Sequence, residues 1–202
     1  MREMIKMVVV VTLLAAASGV LLAAVRNGTA ARIEDQELFY VKGPAILSIM
    51  KGCQNDPITD RFKIKDGEVD RSFFVGEFNG KPDVVAFETS AGGFGGPIGV
   101  MVAININDDK IVGIGVTTHS ETPGLGARAK EDPSFAKGFV GKSILEPLKV
   151  RADGGQIDAL AGATITSRAV CAAVTSAGDI YKKLKTEIAK DAAAVQLHPK
   201  TA

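Results

Sequence analysis

Two short segments of this chain concentrate residue types that can hold a charged group. The first, His119-Ser120-Glu121-Thr122-Pro123-Gly124-Leu125-Gly126, follows an apolar run and is dense in residues that fix or free the backbone. The second, Asp158-Ala159-Leu160-Ala161-Gly162-Ala163-Thr164-Ile165-Thr166-Ser167, opens directly into a stretch of helical period. Each has a plain local reading. Pro-Gly pairs mark turns, and Thr164, Thr166 or Ser167 can cap a helix. A capping box would place Glu or Gln three residues after the cap, but Thr164 and Thr166 are followed there by Ser167 and Ala169. The first helical turn has no acid and carries Arg168, the wrong sign for a helix N-terminus. A bound phosphate would supply the missing negative charge, taken by the free N–H groups of the first turn and by Arg168. The second segment thus reads as an anion site or a cap, and the first as a neighbouring loop or a turn.

Other chemistries are excluded. His119 and Ser120 are adjacent and would point to opposite sides of an extended chain, and there is no GxSxG elbow, so nucleophilic hydrolysis lacks its base-oriented nucleophile. Two His (His119, His198) and two Cys (Cys53, Cys171), with no CxxC or HxxxH pattern, leave no metal site. No Rossmann GxGxxG is present, so no NAD site is assigned. Lys and Arg total 24 against 23 Asp and Glu, a net charge of +1. That leaves no basic excess for a phosphate backbone, and nucleic acid is not an expected partner. Cys53 and Cys171 are expected as buried free thiols, with a disulfide between them as the alternative in an oxidising compartment.

These segments need elements to position them. Met7 to Val25 is nineteen residues without a charge, between Lys6 and Arg26. As a helix it reaches ~28 Å, against a hydrocarbon core of ~30 Å. A cleaved signal peptide is the alternative, with small residues at Ala16, Ala17, Ala23 and Ala24, but signal cores usually run about 7–15 residues. Residues 1–26 are therefore expected as a cytoplasmic N-terminus and a membrane span, residues 27–190 as one domain outside the inner membrane, and residues 191–202 as a flexible tail. Within the domain, residues 27–42 read as a linker and then a helix, broken at Gly43-Pro44, and Ala45 to Lys51 as a second short helix. Arg61 to Lys65 is a short strand. Ser72 to Phe78 and Val84 to Glu88 flank Asn79-Gly80 as a hairpin. Ile98 to Ile106 and Ile111 to Thr117 form a second hairpin, joined to the first by the glycine-rich link Gly92 to Gly96. Consecutive hairpins imply an antiparallel sheet. Pro133 to Val140 reads as a short helix and Leu148 to Arg151 as a strand. Val170, Val174, Ala177, Tyr181, Leu184 and Ile188 lie on one apolar stripe of a final helix. The expected fold is α+β: one transmembrane helix, then an antiparallel sheet packed by helices.

The segment from Asp158 to Thr166 resembles the flavinylation motif of FMN-binding domains, and His119 to Gly126 resembles their ETPGLG loop. With the single N-terminal span, the whole chain is similar to the G subunits of Rnf electron-transport complexes. The resemblance implies that Thr166 accepts FMN covalently as a phosphoester. It places Thr164, Gly162 and Ala163 around the cofactor and Glu121, Thr122, Leu125 and Gly126 in the loop beside the flavin; Leu160 and Ala161 of the same motif and His119 of the same loop are expected there too, with Arg168 from the anion-site reading above. Asp158 matches the leading acid by which an ApbE-type flavin transferase, using FAD and magnesium, recognises its target. One departure is visible: many relatives carry Ser or Thr where Ala161 stands. The implied role is an electron relay in a membrane complex that moves electrons between ferredoxin and NAD and couples them to ion movement, with the other subunits as partners. The C-type subunits of sodium-pumping NADH:quinone reductases share the motif and are the related alternative. A flavin-free, membrane-anchored binding or assembly protein is the alternative of another class.

Overall fold

The computed structural model describes residues 1–200, the side chains of Ala31 and Glu34 excepted. The chain divides into two compact units, Met1–Tyr40 and the residues from Val41 onward. The first is dominated by one helix, α1 (Arg2–Glu37). Its segment Arg2–Ala30 is long and apolar enough to cross a membrane, by length and composition. The linker expected after Arg26 is helical instead. No proline interrupts residues 2–43, and Ala30, Ala31, Arg32, Gln36 and Glu37 are strong helix formers. The pitch widens to a π-helical turn at Leu38–Lys42.

Gly43-Pro44 does not break a helix here; it opens one, α2 (Gly43–Ile49). Proline in a first turn forfeits only an N–H that has no intrahelical acceptor. Five strands follow: β1 (Arg61–Asp66), β2 (Val69–Phe78), β3 (Lys81–Gly92), β4 (Pro97–Asn105) and β5 (Lys110–Val116). They pair in chain order, every pair antiparallel. The β2–β3 turn is Asn79-Gly80, both with positive φ (53° and 76°), the type I′ geometry whose twist matches a hairpin.

The sheet is covered on both faces, which explains why β4 is buried almost throughout rather than alternating. Ile98, Val100, Val102 and Ile104 belong to the main core with Phe73, Val75, Val85 and Phe87. α2 packs near β5 and β4, and Gly113 and Gly115 let it approach. A Cβ at Gly113 would lie 3.1 Å from Ile49 Cβ, and one at Gly115 would lie 3.3 Å from Ala45 Cβ.

After β5 come two short helices, α3 (Arg128–Glu131) and α4 (Pro133–Lys137), the second capped by the Asp132 side chain on Ser134 N–H. The strand expected at Leu148 to Arg151 is reduced to a single bridge, Val150 with Ile157. The chain turns instead: Arg151–Asp153 is a 3₁₀ turn, and Gly155 packs so tightly that a Cβ would lie 2.0 Å from the Lys149 carbonyl oxygen. The final helix, α5 (Thr164–Ala194), packs across β3 and β4. All six residues of its expected stripe are buried. Beyond it, Asp56 N–H donates to the His198 carbonyl at 3.0 Å, and His198 Nδ1 lies 2.6 Å from the buried Asp60 carboxylate. Residues 201 and 202 of the expected tail lie outside the described residues. Cys53 and Cys171 are free and buried, so the disulfide alternative is not formed. Burial, with the Asp153 charge adding to it, pushes the Cys171 thiol up to about 12.

Gly178 offers a test of this packing. In an exposed helix, Gly→Ala gains roughly 1 kcal/mol. Here the new Cβ would sit 2.2 Å from the Ile144 carbonyl oxygen. Gly178→Ala is therefore expected to lose about 1–3 kcal/mol, the usual cost of overpacking, seen as a lower urea midpoint. A raised midpoint would contradict the close approach of α5 to residue 144.

Candidate functional site

The site assembles at one end of the sheet. The β3–β4 turn, the end of β5 and the start of α5 all arrive there. Gly99 pairs with the first residues after β5, donating to Thr118 O at 2.8 Å and accepting from Thr117 N–H at 2.9 Å. α5 is held to β3 by the Thr89 hydroxyl, which donates to the Ala173 carbonyl at 2.9 Å.

Glu121 ties the three segments together. One carboxylate oxygen accepts the Gly95 N–H at 2.8 Å, and the other accepts the hydroxyl proton of Thr166. Both side chains are enclosed: Glu121 is 6% exposed and Thr166 2%. The glycines of the two loops make room for this. A Cβ at Gly126 would lie 2.5 Å from the Glu121 carboxylate and 2.7 Å from Thr166 Oγ1, and one at Gly93 would lie 2.6 Å from the carboxylate. Burial alone would push the Glu121 carboxyl up. Hydrogen bonds from the Thr166 hydroxyl and from the Gly95 and Phe94 N–H groups outweigh it and hold Glu121 below the usual glutamate range.

The start of α5 has no side-chain cap. Gly162 has φ +77°, and Ala163 occupies the cap position. Ser167 serves the preceding turn, its Oγ accepting the Leu160 N–H at 2.9 Å and donating to the Ala163 carbonyl at 3.0 Å. Thr166 gives its hydroxyl to Glu121 rather than to the backbone. The capping alternative is thus not realised, and helix geometry leaves the N–H groups of Thr164, Ile165 and Thr166 without intrahelical acceptors.

The other candidates fall in distinct places. His119 Nδ1 accepts the Glu121 N–H at 3.3 Å. Thr122 is exposed, and its carbonyl accepts from Leu125 and Ala127 N–H, each at 3.2 Å, shaping the loop. Leu125 lies against Gly162, its Cδ2 3.2 Å from where a Cβ would stand. Leu160 and Ala163 are buried, Thr164 is half-buried and Ala161 is exposed. Asp158 stands on the surface in an ion pair with Arg151 at 2.7 Å. The Arg168 guanidinium makes two 2.7 Å bonds to Asp153, so its charge has a partner within the chain. Asp153 comes from the 3₁₀ turn, where the sequence pattern suggests the end of a strand. Two residues escape the motif pattern. Phe94 (71% exposed) and Ile165 (50%) join Leu125 (47%) as large apolar side chains left in solvent on the segments around the buried pair. Phe94 does carry a sequence signal, an aromatic ring in a run of glycines that needs no core residue.

Residues 93–179 match the FMN-binding domain family. They contain the glycine turn, the loop with Glu121 and the first half of α5. The G subunit of an ion-translocating oxidoreductase complex from Pseudomonas aeruginosa (strain UCBPP-PA14) is 32% identical over 189 residues, covering 87% of this chain and 87% of that protein. The chain belongs to this family of G subunits. A second relative of the same description, from Stutzerimonas stutzeri, is 36% identical over 65% of this chain, and a third, from Cereibacter sphaeroides (strain ATCC 17023), is 35% identical over 66%. The match spans 60% and 64% of those two proteins' own lengths. Family membership fits the fold, which is shared with the crystal structure of Shewanella oneidensis NqrC at TM-score 0.52 and 21% identity, over 68% of this chain and 72% of that one.

The Glu121–Thr166 pair makes two stability expectations. Thr166→Val keeps the shape but leaves a buried carboxylate short of a donor, at a cost of about 1–3 kcal/mol. Because the folded carboxyl titrates below its unfolded value, its stabilisation is present at neutral pH and is lost as pH falls through the folded value. The urea-midpoint gap between wild type and Glu121→Gln is therefore expected to shrink from pH 7 to pH 3. A gap that does not change with pH would contradict an ionised Glu121.

Proposed function

We propose that this chain is an electron-relay subunit of an ion-translocating oxidoreductase complex and carries FMN as a phosphoester on Thr166. The observation that carries the reading is the placement of Thr166, in the first turn of an uncapped 31-residue helix under two glycine-bearing loops. The residues fit the group. Unpaired N–H groups of the first turn suit a phosphate. Gly162 at positive φ, Gly126 and Gly93 leave backbone where side chains would obstruct. The exposed Phe94, Leu125 and Ile165 suit one face of a planar ring system.

In this reading FMN supplies redox chemistry when bound, and the protein binds and orients it. Thr164 to Thr166 hold the phosphate end, and Glu121 fixes the Thr166 rotamer before attachment. Phe94, Leu125 and Ile165 keep the other end near the surface, within reach of neighbouring subunits of the complex. Asp158, exposed at the rim in its pair with Arg151, is accessible to a flavin transferase during maturation. Arg168 is paired with Asp153 and would have to share its guanidinium with that carboxylate to reach the phosphate. Residues 1–26 hold the protein in the cytoplasmic membrane with the N-terminus inside, and residues 27–190 work on the extracytoplasmic side. Covalent attachment then keeps the cofactor where free FMN is scarce.

The full chain, co-expressed with a flavin transferase and run on a denaturing gel, is expected to fluoresce under ultraviolet light. Thr166→Ala is expected to be dark while remaining folded. Equal fluorescence in both would remove Thr166 as the acceptor, and two dark bands beside a labelled control substrate would favour the flavin-free binding protein.

A further inference from the structure

The Glu121–Thr166 contact joins residues 45 positions apart, and it engages the oxygen atom that attachment would use. A threonine hydroxyl is a weak nucleophile until its proton is drawn away by an adjacent base. Resting on Thr166 as the acceptor, we propose that Glu121 is the proton acceptor for this side chain: its carboxylate orients Thr166 Oγ1 and takes the hydroxyl proton as the flavin phosphate is attached. The co-reactant is a flavin adenine dinucleotide presented by the transferase. The Thr166 Oγ1–phosphorus bond forms on the FMN-side phosphate, and the bond from that phosphorus to the bridging oxygen breaks. AMP leaves with the bridging oxygen. The hydroxyl proton passes to Glu121 and then to solvent, and no electrons are exchanged.

The surroundings are suited to this. Glu121 is faced from the β3–β4 turn by the Gly95 and Phe94 N–H groups, from its own loop by His119, and from α5 by the Thr166 hydroxyl. Among the described residues, no second carboxylate perturbs it. Arg168, the cation of the first turns of α5, is occupied by Asp153. The enclosure also sets an order of events. With Thr166 only 2% exposed, the turn at residues 92–97 must part from the site, leaving the Glu121 loop in place, before a transferase can reach the oxygen. The carboxylate remains with the hydroxyl until that moment. After attachment the oxygen carries no proton, so Glu121 loses that donor.

The test is the rate of covalent flavin incorporation into flavin-free full chain in detergent. Transferase, FAD and magnesium are in excess, and the rate is read from protein-bound flavin in denaturing gels. Wild type, Glu121→Gln and Glu121→Asp are compared at equal folded fraction, fixed by circular dichroism. Glu121→Gln keeps size but exchanges one of the two accepting oxygens for an NH2 donor and cannot take the proton, and a fall of about 100-fold or more is expected, the usual worth of a positioned base. Glu121→Asp is expected to recover part of it. The decisive readout is pH. Between pH 6 and 9 the Gln variant to wild-type ratio is expected to rise, because hydroxide replaces the missing base, while any titration of the transferase cancels. A Gln variant that labels at the wild-type rate, or an Asp variant no faster than Gln, would overturn the proposal. So would a reduced ratio that does not change with pH, which is what a merely structural role gives. Failure here is separable from failure of the acceptor reading: labelled wild type with dark Thr166→Ala leaves Thr166 standing whatever Glu121 does.

Discussion

A carboxylate enclosed by protein is costly unless its oxygens are fully bonded. Glu121 meets that requirement by drawing in three separate segments: the backbone of the Gly92–Pro97 turn, its own loop and the Thr166 hydroxyl. The geometry of the site follows from it. The glycines at 93, 95 and 126 are there because the approach of backbone to carboxylate, to hydroxyl and to the Ser120 carbonyl leaves no room for a Cβ. Removing the charge would relieve the constraint and with it the reason for the loops to converge.

That convergence needs a rigid floor. The sheet supplies it by being buried on both faces, with α5 across β3 and β4 and α2 near β5. The apolar stripe of α5 sets the rotation of the helix, which decides where Thr166 points. Ser167, bonded to both ends of the 160–163 turn, fixes where the helix begins. One helix thus joins the main core to the site: its packed middle holds its uncapped first turn in place. Phe94, Leu125 and Ile165 are exposed on the segments around the buried Glu121–Thr166 pair.

The features legible in the sequence are those that local patterning encodes. The α5 stripe, the Asn79-Gly80 hairpin, the second hairpin and the antiparallel pairing all follow from period and turn chemistry. The unbroken run of the first helix from the apolar span into residues 27–37 is not legible in this way, because a glycine and polar residues look like a linker ahead of a separate helix although nothing there stops a helix already under way. The strand expected at Leu148 to Arg151 fails because β-branched content says nothing about the tight packing of Gly155 on Lys149. In the site, the two motifs are readable as segments but their junction is not. Arg168 looks unpaired because Asp153 lies fifteen residues earlier, and Glu121 looks like a loop residue because its partner lies forty-five residues later. Pairings at such distances are products of the fold.

The most direct measurement is peptide mapping by mass spectrometry of the full chain after co-expression with a flavin transferase. Trypsin releases residues 152–168 as one peptide, which contains Thr164, Thr166 and Ser167. Fragmentation is expected to place the mass of FMN, less one water, on Thr166 alone. The same mass on Thr164 or Ser167, or an unmodified peptide from fully labelled protein, would contradict Thr166 as the attachment point.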